Sequence, residues 1–196
     1  MKRHLNAILL PAAAALLIAG CTERPAASGQ TAATPSAPAA ADAPASTAPA
    51  APGFAPVDDA AALLALPSSG TCSLENLVNM GDGTPSPGAE PNSYAADRAN
   101  TYTLIGFATD SDAGTVPASI RVLLHGASGA YAMPGTMGLD REDVAKFFNK
   151  PALAKSGYQV VASFAGLSPG AYEVHVIKGA DDAAQLCPTH QTIVIR

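Results

Sequence analysis

Tyr158-Gln159-Val160-Val161-Ala162-Ser163-Phe164 decides the fold class. Tyr158, Val160, Ala162 and Phe164 fall on one side of an extended chain, and Gln159, Val161 and Ser163 fall on the other. Alternation with period two marks a strand with one face turned to a core. The same grammar recurs on both sides of it. Ser119 to His125 sets Ile120, Val122 and Leu124 against Arg121, Leu123 and His125. Tyr172, Val174 and Val176 alternate with Glu173, His175 and Ile177. Thr101 to Ala108, Thr192 to Arg196 and Leu74 to Val78 read as further strands. Gly81-Asp82-Gly83 and Leu167-Ser168-Pro169-Gly170 are turn clusters between them. About six short strands with turns between them predict a mainly β, antiparallel sandwich over 68–196.

One helix interrupts the pattern. Asp140 is its expected cap, Arg141 to Asn149 its body, and Pro151 its stop. Leu139 and Val144 take staple positions, and Val144, Phe147 and Phe148 form its apolar face. A second short helical segment is expected over 57–67, where Asp58 or Asp59 caps Ala60 to Leu66 and Pro67 ends it. Its leucines either dock on the sandwich or only punctuate a linker.

The N-terminal third has a different composition. Met1-Lys2-Arg3-His4 is basic, Leu5 to Ile18 is an apolar run, and Ala19-Gly20 are small. That is the layout of an export signal over 1–20. Ile18-Ala19-Gly20-Cys21 resembles the lipobox of bacterial lipoproteins. The resemblance implies cleavage before Cys21, acylation of Cys21 and, with Thr22 rather than Asp next to it, sorting to the outer membrane. The membrane is then one partner, through the N-terminal lipid. From Thr22 to Pro56 the chain is nearly all Ala, Pro, Ser, Thr and Gly. Such a segment buries too little apolar surface to offset its ordering entropy and predicts a disordered tether. Fully extended, its 35 residues would reach roughly 110 Å.

Without residues 1–20 the chain loses Lys2 and Arg3, so 9 basic residues face 16 acidic ones, a net charge near −7. With no basic cluster, nucleic acid is excluded as an expected partner. Of three cysteines, Cys21 is assigned to the lipid. Cys72 and Cys187 are expected to pair, because an exported chain meets an oxidising compartment.

The ordered set Gly106-Phe107-Ala108-Thr109-Asp110, Arg141-Glu142-Asp143-Val144, Ser156-Gly157-Tyr158 and Leu167-Ser168-Pro169-Gly170-Ala171-Tyr172 resembles a bacterial immunoglobulin-like module. That family shows Gly-Trp-Ala-x-Asp, Arg-Pro-Asp-Val and Ser-Gly-Phe in the same order. Phe107 stands for its Trp and Glu142 for its Pro. The resemblance implies an immunoglobulin-like sandwich with a structural or binding role, and it transfers no active site.

Candidate chemistry is sparse. His125 and His175 share the outward face and are the candidate metal ligands, set against a reading as plain surface residues. Asp110-Ser111-Asp112 opens like a calcium loop, but Arg121 stands where the twelfth-position acid belongs, so a turn is expected. Gly126-Ala127-Ser128-Gly129 misses the nucleophile-elbow spacing and reads as a hairpin turn. Arg141 is expected to pair with Asp110 or Asp143, chiefly as architecture. No cofactor motif is present. The expected function is non-catalytic binding or scaffolding of a protein or glycan of the cell envelope, facing the periplasm or the outside. The 79–100 loop is its candidate surface. A metal or small-molecule carrier and a carbohydrate-active hydrolase are the alternatives.

Overall fold

The structure, a computed structural model, describes residues 51–110 and 112–196. The export signal, Cys21 with its lipobox, and most of the tether lie outside them. In chain order the strands are β1 (Ala55–Pro56), β2 (Thr71–Asn79), β3 (Ser93–Ala96), β4 (Thr101–Thr109), β5 (Ile120–Gly126), β6 (Gly129–Leu139), β7 (Gly157–Ser163), β8 (Gly170–Lys178) and β9 (Gln185–Ile195). Helix α1 is Ala60–Leu64 and helix α2 is Glu142–Phe147, followed by a 3-10 turn over Pro151–Lys155.

The hydrogen-bonded order is β2-β4-β7-β6-β5-β8-β9-β3. It forms two faces. One contains β2, β4, β7 and the second half of β6; the other contains the first half of β6 with β5, β8, β9 and β3. This is an immunoglobulin-like sandwich. Tyr172 at the start of β8 donates its hydroxyl to the Ser168 carbonyl at 2.9 Å, the tyrosine corner of such folds. One ladder departs from the antiparallel expectation: Ser93–Ala96 of β3 runs parallel to Thr192–Ile195 of β9.

The alternating residues fill the space between the sheets. Leu74, Leu104, Val122, Val160, Val174 and Ile193 are buried in one cluster with Tyr102, Tyr158, Phe164 and Tyr172. Strand β6 changes sheets at Pro134-Gly135, where β5 pairing ends and β7 pairing begins. A Cβ at Gly135 would lie 2.5 Å from Ile120 Cδ1, so a side chain there would push the crossing strand off the core. The Cys72–Cys187 disulfide ties β2 of one sheet to β9 of the other.

The folded body starts upstream of Ser68. Phe54 is 6% exposed and stacks on Phe164 with ring centres 5.6 Å apart. Strand β1 pairs with β6 through Ala132 and Tyr131. Asp59 caps α1, accepting the Ala62 amide at 3.0 Å. Val57, Leu63, Leu64 and Leu66 pack on Leu123, Ile177 and Leu186, so the leucines dock on the sandwich. Leu123 and Ile177, outward by alternation, are buried because this strap covers them.

One further expectation changes. Arg141, not Asp140, is the N-cap residue of α2, without a side-chain cap bond. Asp140 instead pairs with Lys155 at 2.6 Å. The 79–100 loop is ordered: it carries β3, the bridges Val78–Pro85 and Pro87–Tyr94, and a turn in which Asp82 accepts from Thr84.

Candidate functional site

The motif residues Phe107, Arg141, Asp143 and Val144 meet at one corner of the sandwich, where α2 lies against the outer face of β4. Phe107 points outward from β4 and packs with Val144, Ala145, Leu153 and Phe148. The Arg141 guanidinium carbon sits 5.0 Å from the centre of the Phe107 ring, in cation–π range. Arg141 donates from Nε and Nη2 to Asp143 at 2.9 and 2.7 Å. It also donates from Nη1 and Nη2 to Glu75 at 2.6 and 3.0 Å. Both pairs are bidentate, the geometry that makes guanidinium–carboxylate contacts strong.

Glu75 is the member that alternation hides. Leu74 and Leu77 both point inward though they are three residues apart, because a bulge separates Leu74 from Asn76 in the β2–β4 register. Bulges re-aim side chains, and this one turns Glu75 toward Arg141. Two tyrosine hydroxyls hold the bulge, buried Tyr158 donating to the Ser73 carbonyl at 3.1 Å and half-buried Tyr94 to the Leu74 carbonyl at 3.0 Å. Gly106 and Gly157 make room for this. A Cβ at Gly106 would fall 1.9 Å from the Ser73 oxygen, and one at Gly157 would fall 2.9 Å from Arg141 Cγ.

The electrostatics follow. Two carboxylates push the Arg141 pKa further up. The Arg141 hydrogen bonds hold the Asp143 carboxyl at about 2, below the usual range. Burial pushes the Tyr158 hydroxyl up, helped by the Glu75 charge. Arg141 uses four of its five N–H donors inside the clamp. Its role is architectural, and of its two expected partners it takes Asp143.

Beside the clamp lies a groove of about 510 Å³, lined by Phe107, Val144, Phe148 and Thr71. That volume is in the range of ligand sites. Phe147 stands on its rim, 83% exposed. The apolar face expected of Val144, Phe147 and Phe148 is corrected at Phe147: Val144 and Ala145 are buried with Phe148 packed against them, and Phe147 points into solvent against the edge of Phe148.

The chain matches no protein-family model and no curated protein.

The other expected residues lie elsewhere. Asp110 closes a turn against Thr115 and accepts the Ala113 amide at 3.2 Å. Gly170 and Tyr172 form the corner at the start of β8. His125 lies directly across from Glu173, while His175 faces Leu123. Among the described residues, no group of three or more His, Cys, Asp and Glu is placed to hold a metal ion. His175 Nε2 is 3.6 Å from Glu173 Oε2. Burial lowers the His175 pKa, Glu173 opposes that shift, and His125 adds to it. Opposite His175, a bulge in β9 sets His190 at φ 59°. The Gly126-to-Gly129 segment is the β5–β6 hairpin turn, as expected.

Proposed function

We propose that this chain is a lipid-anchored protein of the bacterial cell envelope, held at the outer membrane through Cys21, with its sandwich as a non-catalytic binding module. The observation that carries the binding role is Phe147. A phenylalanine left 83% exposed beside an apolar groove forgoes roughly 1.5–3 kcal/mol of burial that a partner would recover. Glu75, Arg141 and Asp143 beside the groove are engaged with one another, which suits a rigid docking corner better than proton transfer. The lipid anchor is supported by the Ile18-Ala19-Gly20-Cys21 pattern at the end of an apolar run.

Two experiments test this reading. Labelled palmitate fed to the parent bacterium is expected to enter the protein, and Cys21→Ala is expected to abolish incorporation. A photocrosslinking residue at position 147 is expected to capture a discrete envelope component in living cells. The same residue at position 80, where Met80 is also exposed, is expected to capture none. Equal capture at both positions removes the groove from the argument.

A further inference from the structure

We infer that the groove beside α2 receives an extended peptide segment carrying a large apolar side chain next to a lysine or arginine. This rests on the binding role just proposed and names the chemistry of the partner.

The walls supply the first argument. Phe147 and Phe148 meet edge to face, with centres 5.0 Å apart and planes at 87°. A sugar ring stacks on an open flat face. Two perpendicular rings form a corner instead, closed here by Val144 and Phe107. A corner encloses a branched or long side chain better than it supports a pyranose.

The charges supply the second. One guanidinium between two carboxylates leaves the clamp at −1. The charges are also layered: the Arg141 side chain is 15% exposed, against 34% for Glu75 and 68% for Asp143. The guanidinium lies beneath, and the carboxylates reach the solvent. Each carboxylate accepts two bonds from Arg141 and keeps acceptor capacity for another donor. An incoming ammonium or guanidinium finds acceptors at the rim, whereas a phosphate or carboxylate meets like charge. A second copy of this chain would bring the same negative rim against this one.

Three fluorescent peptides of about ten residues test the inference, one pairing Leu with Lys, one Leu with Glu and one Ala with Lys. Each is titrated against the full chain in nanodiscs of zwitterionic lipid and read by polarisation. The Leu/Lys peptide is expected to bind saturably. The other two are expected to bind at least tenfold more weakly. Raising salt from about 0.05 to about 0.5 M is expected to weaken the Leu/Lys peptide several-fold. Phe147→Asp is the decisive variant, because it adds negative charge while removing the apolar rim. Groove binding predicts at least a tenfold loss; plain attraction of a cationic peptide to an acidic protein predicts no loss and overturns the inference. Equal binding of the Leu/Glu peptide overturns it too. A self-association abolished by Phe147→Asp overturns it by making the occupant a second copy. If no peptide binds while position 147 still crosslinks an envelope component, the partner class is wrong and the binding role stands. If both are negative, the binding role falls with it.

Discussion

Replacing Cys72 and Cys187 together by alanine removes the bond between the two sheets, and its cost follows from the loop it closes. The two cysteines are 115 residues apart. In the chain-entropy treatment such a loop restricts the unfolded chain by about 16 cal/mol/K, or about 5 kcal/mol at 25 °C. The native side loses less. Gln191 still accepts the Leu74 amide and donates to Ser73 Oγ, both at 3.3 Å, so β2 and β9 stay joined near the missing bridge. A domain of this size has a total stability of roughly 5–15 kcal/mol, so the loss is a third of it or more. The melting temperature is expected to drop by about 10–20 °C. The chain has no tryptophan, so urea unfolding is followed by tyrosine fluorescence and circular dichroism. The variant is also expected to show a larger m-value, because its unfolded chain exposes more surface. A loss under about 1 kcal/mol with an unchanged m-value refutes the argument that the bridge acts on the unfolded ensemble.

Other expectations come from single side chains. Phe54→Ala is expected to cost about 3–5 kcal/mol, and thermal melts of Phe54→Ala and Phe54→Leu check whether the strap belongs to the cooperative unit. Tyr172→Phe removes one hydroxyl from the Ser168 carbonyl and is expected to cost about 1–1.5 kcal/mol with the dichroism spectrum unchanged. For His175, the folded pKa lies below the unfolded one, so the unfolded chain binds the proton first as pH falls. Stability then declines on acidification from about 6.5 down to the depressed folded value. Its facing groups are Glu173, His125 and His190. His175→Gln should flatten that slope, and urea midpoints between about pH 5 and 8 will show whether it does. Asp143 should titrate near 2 by carboxyl NMR, and in Arg141→Met it should return toward about 3.9. No change on losing Arg141 would mean the clamp is not formed in solution.

Strands whose inward residues alternate without interruption were legible. Thr101 to Ala108, Tyr158 to Phe164 and Tyr172 to Ile177 all lie within a residue or two of β4, β7 and β8. Strand β6 was not, because Gly129, Pro134, Gly135 and Gly138 read as punctuation. Those residues are present because the strand leaves one sheet for the other, and the close crossing needs small residues and tolerates a proline. The start of β9 was masked by Pro188 and the bulge at Thr189-His190, which break the alternation. Phe54 sits in a stretch otherwise poor in large side chains, so composition assigned it to the tether. At the site, Arg141, Asp143 and Phe107 were visible as a motif. Glu75 was not, since a bulge decides its direction, and neither was the outward turn of Phe147, which depends on where a six-residue helix begins.

The position of Cys72 sets how the molecule bears load. A pull entering at residue 51 first meets β1, Phe54 and α1, which are held by noncovalent contacts. Pro52 to Gly70 can peel away in sequence, and once extended that segment reaches at most roughly 60–70 Å. The peeling stops at Cys72, where the Cys72–Cys187 bond passes the force directly to β9. The strap then works as an extensible leader that dissipates tension, and the disulfide works as a stop that keeps α2 and its groove intact while the chain is stretched.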